Sequence, residues 1–178
     1  MLDAIIQAFW LLLPAGFANM APVLFNKLNF LNYPVDFNIQ LKKKPLLGKN
    51  KTFRGLFFGI ILSIIVVYVQ KLAHPVMKSY SLIDYSVANI LLVGFLLGFG
   101  ALFGDMLKSF FKRRININPG KPWAPFDQID WILGSLIFIN FYIRTPLAII
   151  FFALLIFGIL HPSINYIGYV LKLKKNKF

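Results

Sequence analysis

From Val87 to Phe103 the chain runs for seventeen residues without a charge, and four more long apolar blocks accompany that one. A helix that crosses a bilayer needs roughly 17–25 mainly apolar residues. The first block runs from about Ala4 to Phe25, with Pro14 inside it and Pro22 near its end. The second extends from Leu56 to about Leu72 and is bounded by His74 and Pro75. Val87–Phe103 is the third, and it is rich in glycine through Gly94, Gly98 and Gly100. The fourth, about Ile129 to Ile143, is short. The fifth begins near Pro146 and runs to about Leu171. Hydrophobic residues make up 58% of the chain and charged residues 14%, against about a quarter charged in an ordinary soluble domain. The expected fold is therefore all-α: one polytopic membrane domain over residues 1–178, with about five transmembrane helices. The first block lacks the basic flank of a signal peptide, since the first charge is Asp3, and reads as a retained span.

The basic residues fix an expected orientation. Seven of the nineteen lie in the loop after the first block, five after the third and four in the tail. Only Lys71, Lys78 and Arg144 fall on the other side. The positive-inside rule places the N-terminus outside the cell membrane and the C-terminus in the cytoplasm. Two cytoplasmic loops follow, at about 26–55 and 105–128. The net charge of +13 is then a consequence of topology and gives no reason to expect a nucleic-acid partner. With no cysteine, the chain can form no disulfide, thiol nucleophile or thiolate metal site.

The two loops hold the chemistry. In the first, Lys42-Lys43-Lys44 suits anionic headgroups. Then GKNKTFRG, Gly48 to Gly55, places Lys49, Lys51, Thr52 and Arg54 between two glycines, which suits either a phosphate or a solvated turn. The loop contains one acid, Asp36, so without a nucleotide it is expected to be mobile. In the second loop, a third helix continued past the membrane would set Asp105, Lys108 and Lys112 on one face, with Ser109 beside them and Arg113 and Arg114 at its end. Asn118, Pro119 and Gly120 break that helix, and Pro125 can open the next. Gly94, Gly98 and Gly100 are read first as close helix packing, and secondly as a close approach to a lipid chain.

The chain has six acids and no glutamate, and two of the six lie in FDQID, residues 126–130. Ordinary helix-start electrostatics accounts for Asp127. It accounts less well for Asp130, which leads into Trp131-Ile132-Leu133, because an ionisable group at membrane depth is costly. Asp105 meets the same objection. Three carboxylates among lysines and arginines at one membrane face suit a hard cation such as Mg²⁺, completed by substrate phosphates. Those are the parts for phosphoryl or nucleotidyl transfer onto a lipid, where positioning and charge neutralisation dominate.

The segment GD-x-x-KS-x-x-KRR-…-PG-x-PW-x-PFDQ-x-D resembles the archaeal CDP-archaeol synthase family, within the integral-membrane phosphatidate cytidylyltransferases. PVDF at 34–37 and KT-x-RG at 51–55 resemble that family's first loop. Leu13, Pro14, Ala18, Asn19, Ala21 and Pro22 resemble its first span, and Leu160, His161, Asn165 and Tyr169 its last. Lys49-Asn50 departs from the acidic residue and glycine usual there. The resemblance implies transfer of a cytidylyl group from CTP to an isoprenoid ether lipid phosphate, 2,3-bis-O-geranylgeranylglycerol 1-phosphate, with release of pyrophosphate. It implies Mg²⁺ held by Asp105, Asp127 and Asp130, which with Lys112 and Arg113 would form the catalytic set. Lys49, Lys51, Thr52, Arg54, Lys108, Ser109, Asn19 and Asp36 would bind substrate. His161 is equally a satisfied polar residue or a nucleotide contact. Two other readings are an ester-lipid phosphatidate cytidylyltransferase, separated only by the shape of an apolar groove, and a small transporter or channel. A transporter would place ionisable residues mid-span on several helices, and these spans are nearly clean.

Overall fold

The computed structural model describes residues 1–119 and 121–170, with side chains described as far as 160. His161, Asn165, Tyr169 and the lysines of the tail lie outside the described side chains. Five α-helices form among the described residues: α1 (Leu2–Leu24), α2 (Phe53–Met77), α3 (Ile90–Arg114), α4 (Phe126–Ile139) and α5 (Leu147–Val170). The all-α expectation holds, with a two-stranded hairpin added in the first loop: β1 (Gln40–Leu41) paired antiparallel with β2 (Lys44–Pro45).

α1, α3 and α2 with the turn that follows it to Tyr80 are each long and apolar enough to cross a membrane. The described apolar part of α5, Leu147–Leu160, is shorter. α4 has 14 residues, about 21 Å at the usual helical rise, which falls short of a hydrocarbon layer of about 30 Å. Every expected apolar block is thus a helix, and three of the five have the dimensions of a full crossing. The second helix runs through Pro75 instead of stopping before it, and the third extends eleven residues past Phe103, as a continued helix requires. Side-chain caps start both: Thr52 accepts from Gly55 N at 3.2 Å and Asn89 from Leu92 N at 3.1 Å.

α3 is the central helix and packs against α1, α2 and α4. The core is made of Leu11, Leu12 and Ala15 from α1, Val93, Leu97 and Ala101 from α3, Trp131, Ile132 and Leu136 from α4, and Ile149 and Ala153 from α5. Phe9, Ile65, Phe95, Ile137 and Phe151 point outward and stay exposed, as side chains facing lipid do. The glycines do what the packing reading says. A Cβ on Gly94 would come within 2.6 Å of Ile64 Cα, and one on Gly98 within 2.7 Å of Ser63 Cβ, so α2 and α3 touch backbone to backbone. Gly100, Gly104 and Gly134 do the same between α3 and α4. A Cβ on Gly100 would reach 2.9 Å from Ser135 Cα, and a Cβ on Gly104 would strike the Asp130 carbonyl.

At the far end of α2 from the first loop, a buried polar knot ties the helices to the connection that follows. Gln70 donates to Trp10 O at 2.6 Å, and Tyr85 donates its hydroxyl to Gln70 Oε1 at 2.9 Å. Burial raises the Tyr85 phenol above its ordinary range. His74 Nε2 lies 3.0 Å from Asp84 Oδ1. Asp84, in the exposed connection, is held below the usual carboxylate range by hydrogen bonds from the Ser86 hydroxyl and amide, and then by His74.

Candidate active site

The first loop has a defined course in which its one acid, Asp36, is spent on the loop's own backbone. Asp36 accepts from the amides of Asn38 at 3.1 Å, Leu47 at 2.8 Å and Gly48 at 3.2 Å. Val35 N donates to Lys51 O at 2.8 Å and Phe53 N to Tyr33 O at 2.9 Å, which closes the loop at its base. The hairpin turn is Lys42-Lys43, with φ of 51° and 61°, the left-handed values that a two-residue primed turn requires. Asp36 is accordingly a loop brace, Thr52 a helix cap, and buried Arg54 a tie to the Leu28 carbonyl. Lys49 is exposed at the loop surface, and Asn19 is half-buried on α1.

Of this loop's expected site residues, Lys51 is the one that reaches α3, where its ammonium pairs with Asp105 Oδ2. Asp105 stands one helical turn before Lys108, and the Gly104–Gly134 contact places α4 directly alongside. Lys108 Nζ then lies 3.1 Å from Asp105 Oδ1, 3.0 Å from Asp127 Oδ1 and 2.7 Å from Asp130 Oδ2. One turn further on, Lys112 Nζ donates to both oxygens of Asp127, at 3.0 and 3.1 Å, and to Lys121 O at 2.5 Å. Three lysines and three carboxylates from the first loop, α3 and α4 therefore form one balanced, half-buried network. The spacing expected of Asp105, Lys108 and Lys112 is met, and buried Ser109 accompanies them.

Asp127 does two things. Its Oδ2 accepts from Trp123 N at 2.5 Å, which ties the segment before α4 to the helix's first turn, while its carboxylate also meets both lysines. Asp130 has no helix-start role: its side chain is 6% exposed and faces Lys108. Arg113, 7% exposed, leaves its Nε without a hydrogen-bond partner. A cavity beside Lys51 and Asp105 is walled by Pro22, Thr52, Leu56, Leu102 and Met106. It is small, about 20 Å³, with polar and apolar side chains together in its lining.

For a divalent cation the donors are of the right kind, since all are carboxylate oxygens. Asp130 Oδ2 is buried and, although 2.7 Å from Lys108 Nζ, lacks a properly directed hydrogen bond, so it has capacity to spare. Among the described residues no three His, Cys, Asp or Glu side chains are already arranged around a common metal position. The carboxylates are gathered instead around the Lys108 ammonium, which must turn aside before they can share an ion.

Arg114 was legible in the sequence only as a helix-end cation. Its guanidinium in fact donates to Leu41 O at 2.8 Å, Pro45 O at 2.6 Å and Lys44 O at 3.4 Å, and lies over the Phe110 ring. No local pattern could have shown this, because its partners are backbone carbonyls about seventy residues away.

A family model described as CarS-like, CDP-archaeol synthase, matches residues 1–178. A CDP-archaeol synthase of Methanococcus maripaludis strain S2 is 38% identical, over 95% of this chain and 94% of its own length. One of Pyrococcus furiosus is 32% identical over 96% of each chain. A solved structure, described as an intramembrane enzyme for archaeal membrane lipid biosynthesis, is similar with a TM-score of 0.73 and 31% identity, covering 90% of this chain and 94% of its own.

Proposed function

The chain belongs to the CDP-archaeol synthase family, and from that premise we propose that the lysine–carboxylate network joining α3, α4 and the first loop is where its reaction takes place. The protein is a multi-pass membrane enzyme, a CTP-dependent cytidylyltransferase of archaeal lipid biosynthesis. The acceptor is an isoprenoid glycerol ether phosphate, 2,3-bis-O-geranylgeranylglycerol 1-phosphate, and the products are the CDP-activated lipid and pyrophosphate. The single observation that carries the assignment is the meeting of Asp105, Asp127 and Asp130 at Lys108 Nζ. Carboxylates from two helices are brought to one ammonium at the end of the bundle where both basic loops lie.

The reaction asks little covalent work of the protein. The lipid phosphate is already ionised near neutral pH, so its oxygen attacks the α-phosphorus of CTP without a general base. A new P–O bond forms, the bond from the α-phosphorus to the bridging oxygen breaks, and pyrophosphate leaves with that electron pair. What the chain must supply is placement and positive charge. Lys51, Lys108 and Lys112, paired with carboxylates here, can each exchange a carboxylate oxygen for a phosphate oxygen. Arg113, next to Lys112 in the last turn of α3 and with its Nε unpartnered, would add a guanidinium for the phosphates. Asp105, Asp127 and Asp130 would hold Mg²⁺, which neutralises charge on the triphosphate and the leaving pyrophosphate. Lys51 and Asp105 share a small cleft with the apolar side chains of Leu56, Leu102 and Met106, which supports placing the lipid phosphate beside Lys51. Five crossings, with α4 the short one, an outside N-terminus and a cytoplasmic active site complete the reading, supported by the sixteen basic residues that fall in the two loops and the tail.

The test is turnover of CTP and the ether lipid phosphate against Mg²⁺ concentration for Asp127→Asn and Asp130→Asn. Both variants should remain folded, lose about 10²-fold or more in turnover, and need more Mg²⁺. Near-wild-type turnover with an unchanged Mg²⁺ curve in both would show that these carboxylates only support the helix.

A further inference from the structure

We propose that Arg114 is a positioning residue: it latches the β1–β2 hairpin onto the end of α3 and thereby holds Lys51 at the reaction centre. The inference rests on the site reading above, and it concerns a residue that makes no contact with the network of carboxylates and lysines.

The geometry is that of a two-point pin. α3 carries Asp105 and, nine residues further on, Arg114, about 13.5 Å along the helix at the usual rise. Asp105 pairs with Lys51 at the base of the first loop. Arg114 takes the carbonyls of Leu41, Lys44 and Pro45 from both strands of the hairpin in one planar guanidinium fork. Between the two points the loop is stiff. Asp36 accepts from Leu47 and Gly48 and so joins the segment leading from the hairpin to the strand-like 34–35 pair, and Val35 N is bonded to Lys51 O. Fixing the hairpin therefore fixes Lys51 through a short chain of hydrogen bonds. The Phe110 ring lies 5.3 Å from the Arg114 Cζ, holding the guanidinium from its own helix.

A simpler role is available: a cation in the last turn of α3, favoured by the helix dipole. The two differ in what lysine can replace. Lysine keeps the charge but offers a compact ammonium, and it cannot span three carbonyls on two strands as the planar fork does. A dipole role survives Arg114→Lys, whereas a latch does not.

The chain has no cysteine, so a pair of spin labels can be placed without removing any. Labels on Lys42→Cys, in the exposed hairpin turn, and Phe111→Cys, on the exposed side of α3, report the hairpin-to-helix distance by pulsed electron resonance. In the otherwise native chain one narrow distance is expected. In Arg114→Lys and Arg114→Ala the distribution should broaden towards longer distances, while thermal unfolding of the bundle changes little. In the same substitutions without labels, kcat for CTP and ether lipid phosphate should fall on the order of 10- to 10²-fold, the cost of a misplaced group near the chemistry. An unbroadened distribution in Arg114→Lys, with native kcat, would overturn the latch in favour of simple charge. An unbroadened distribution in Arg114→Ala would overturn it outright. Because the distance is measured without turnover, failure of the latch is distinguishable from failure of the site assignment.

Discussion

Replacing Gly104 with alanine tests whether the contact between α3 and α4 makes the site. The added Cβ would strike the Asp130 carbonyl oxygen, lie 2.9 Å from Asp130 C and lie 3.3 Å from Gly134 Cα. Carbon–carbon contacts settle at about 3.5–4.0 Å, so α4 must withdraw by roughly 0.6 Å or more. The same movement lengthens the 2.7 Å contact between Lys108 Nζ and Asp130 Oδ2 and carries Asp127 away from Lys112. Overpacking of this kind costs about 1–3 kcal/mol of stability, and a displacement near 1 Å can cost on the order of 10²-fold in rate. Gly94→Ala supplies the comparison. It meets Ile64 Cα at 2.6 Å, an equally tight contact about 15 Å along α3 at the usual rise, away from the network. The measurements are thermal unfolding in detergent and steady-state turnover of CTP with ether lipid phosphate, taken well below both unfolding midpoints. Comparable stability losses are expected, with a much larger fall in kcat for Gly104→Ala. Native turnover in a folded Gly104→Ala protein, or equal losses at the two glycines, would refute the argument that this helix contact sets the catalytic geometry.

Two further outcomes are expected. Single cysteines at Lys43 and Asn118 should be labelled by a membrane-impermeant reagent only from the cytoplasmic side and one at Lys78 only from outside; labelling of Lys43 and Lys78 from the same side would break the proposed orientation. Tyr85→Phe removes the donor to buried Gln70 Oε1 at 2.9 Å and should cost about 1–3 kcal/mol of stability while leaving kcat near native, since this knot lies at the far end of α2. A large loss of turnover without loss of stability would show that the two ends of the bundle are functionally coupled.

Local chemistry determined much of this protein. Runs of apolar residues placed all five helices, because a backbone in hydrocarbon must satisfy its own hydrogen bonds and helices do so within one segment. The Asp105–Lys108–Lys112 spacing was equally legible, since i, i+3, i+7 neighbours depend on residues within two turns, whereas Thr52, read as a phosphate or turn residue, proved to be a helix cap. Asp130 stood out because a carboxylate leading into Trp131-Ile132-Leu133 has no local reason to be charged. What only the tertiary structure decided is which groups meet across elements. The sequence gives no sign that Asp36 serves the backbone amides of Leu47 and Gly48, that Lys51 alone of its basic cluster reaches Asp105, or that Arg114 holds a hairpin some seventy residues away. It shows glycines at 100, 104 and 134 but not that they face one another. The reason is physical: a close approach between helices depends on both surfaces at once, and backbone carbonyls, which every residue carries, leave no mark in a sequence when they become the partners of a distant arginine.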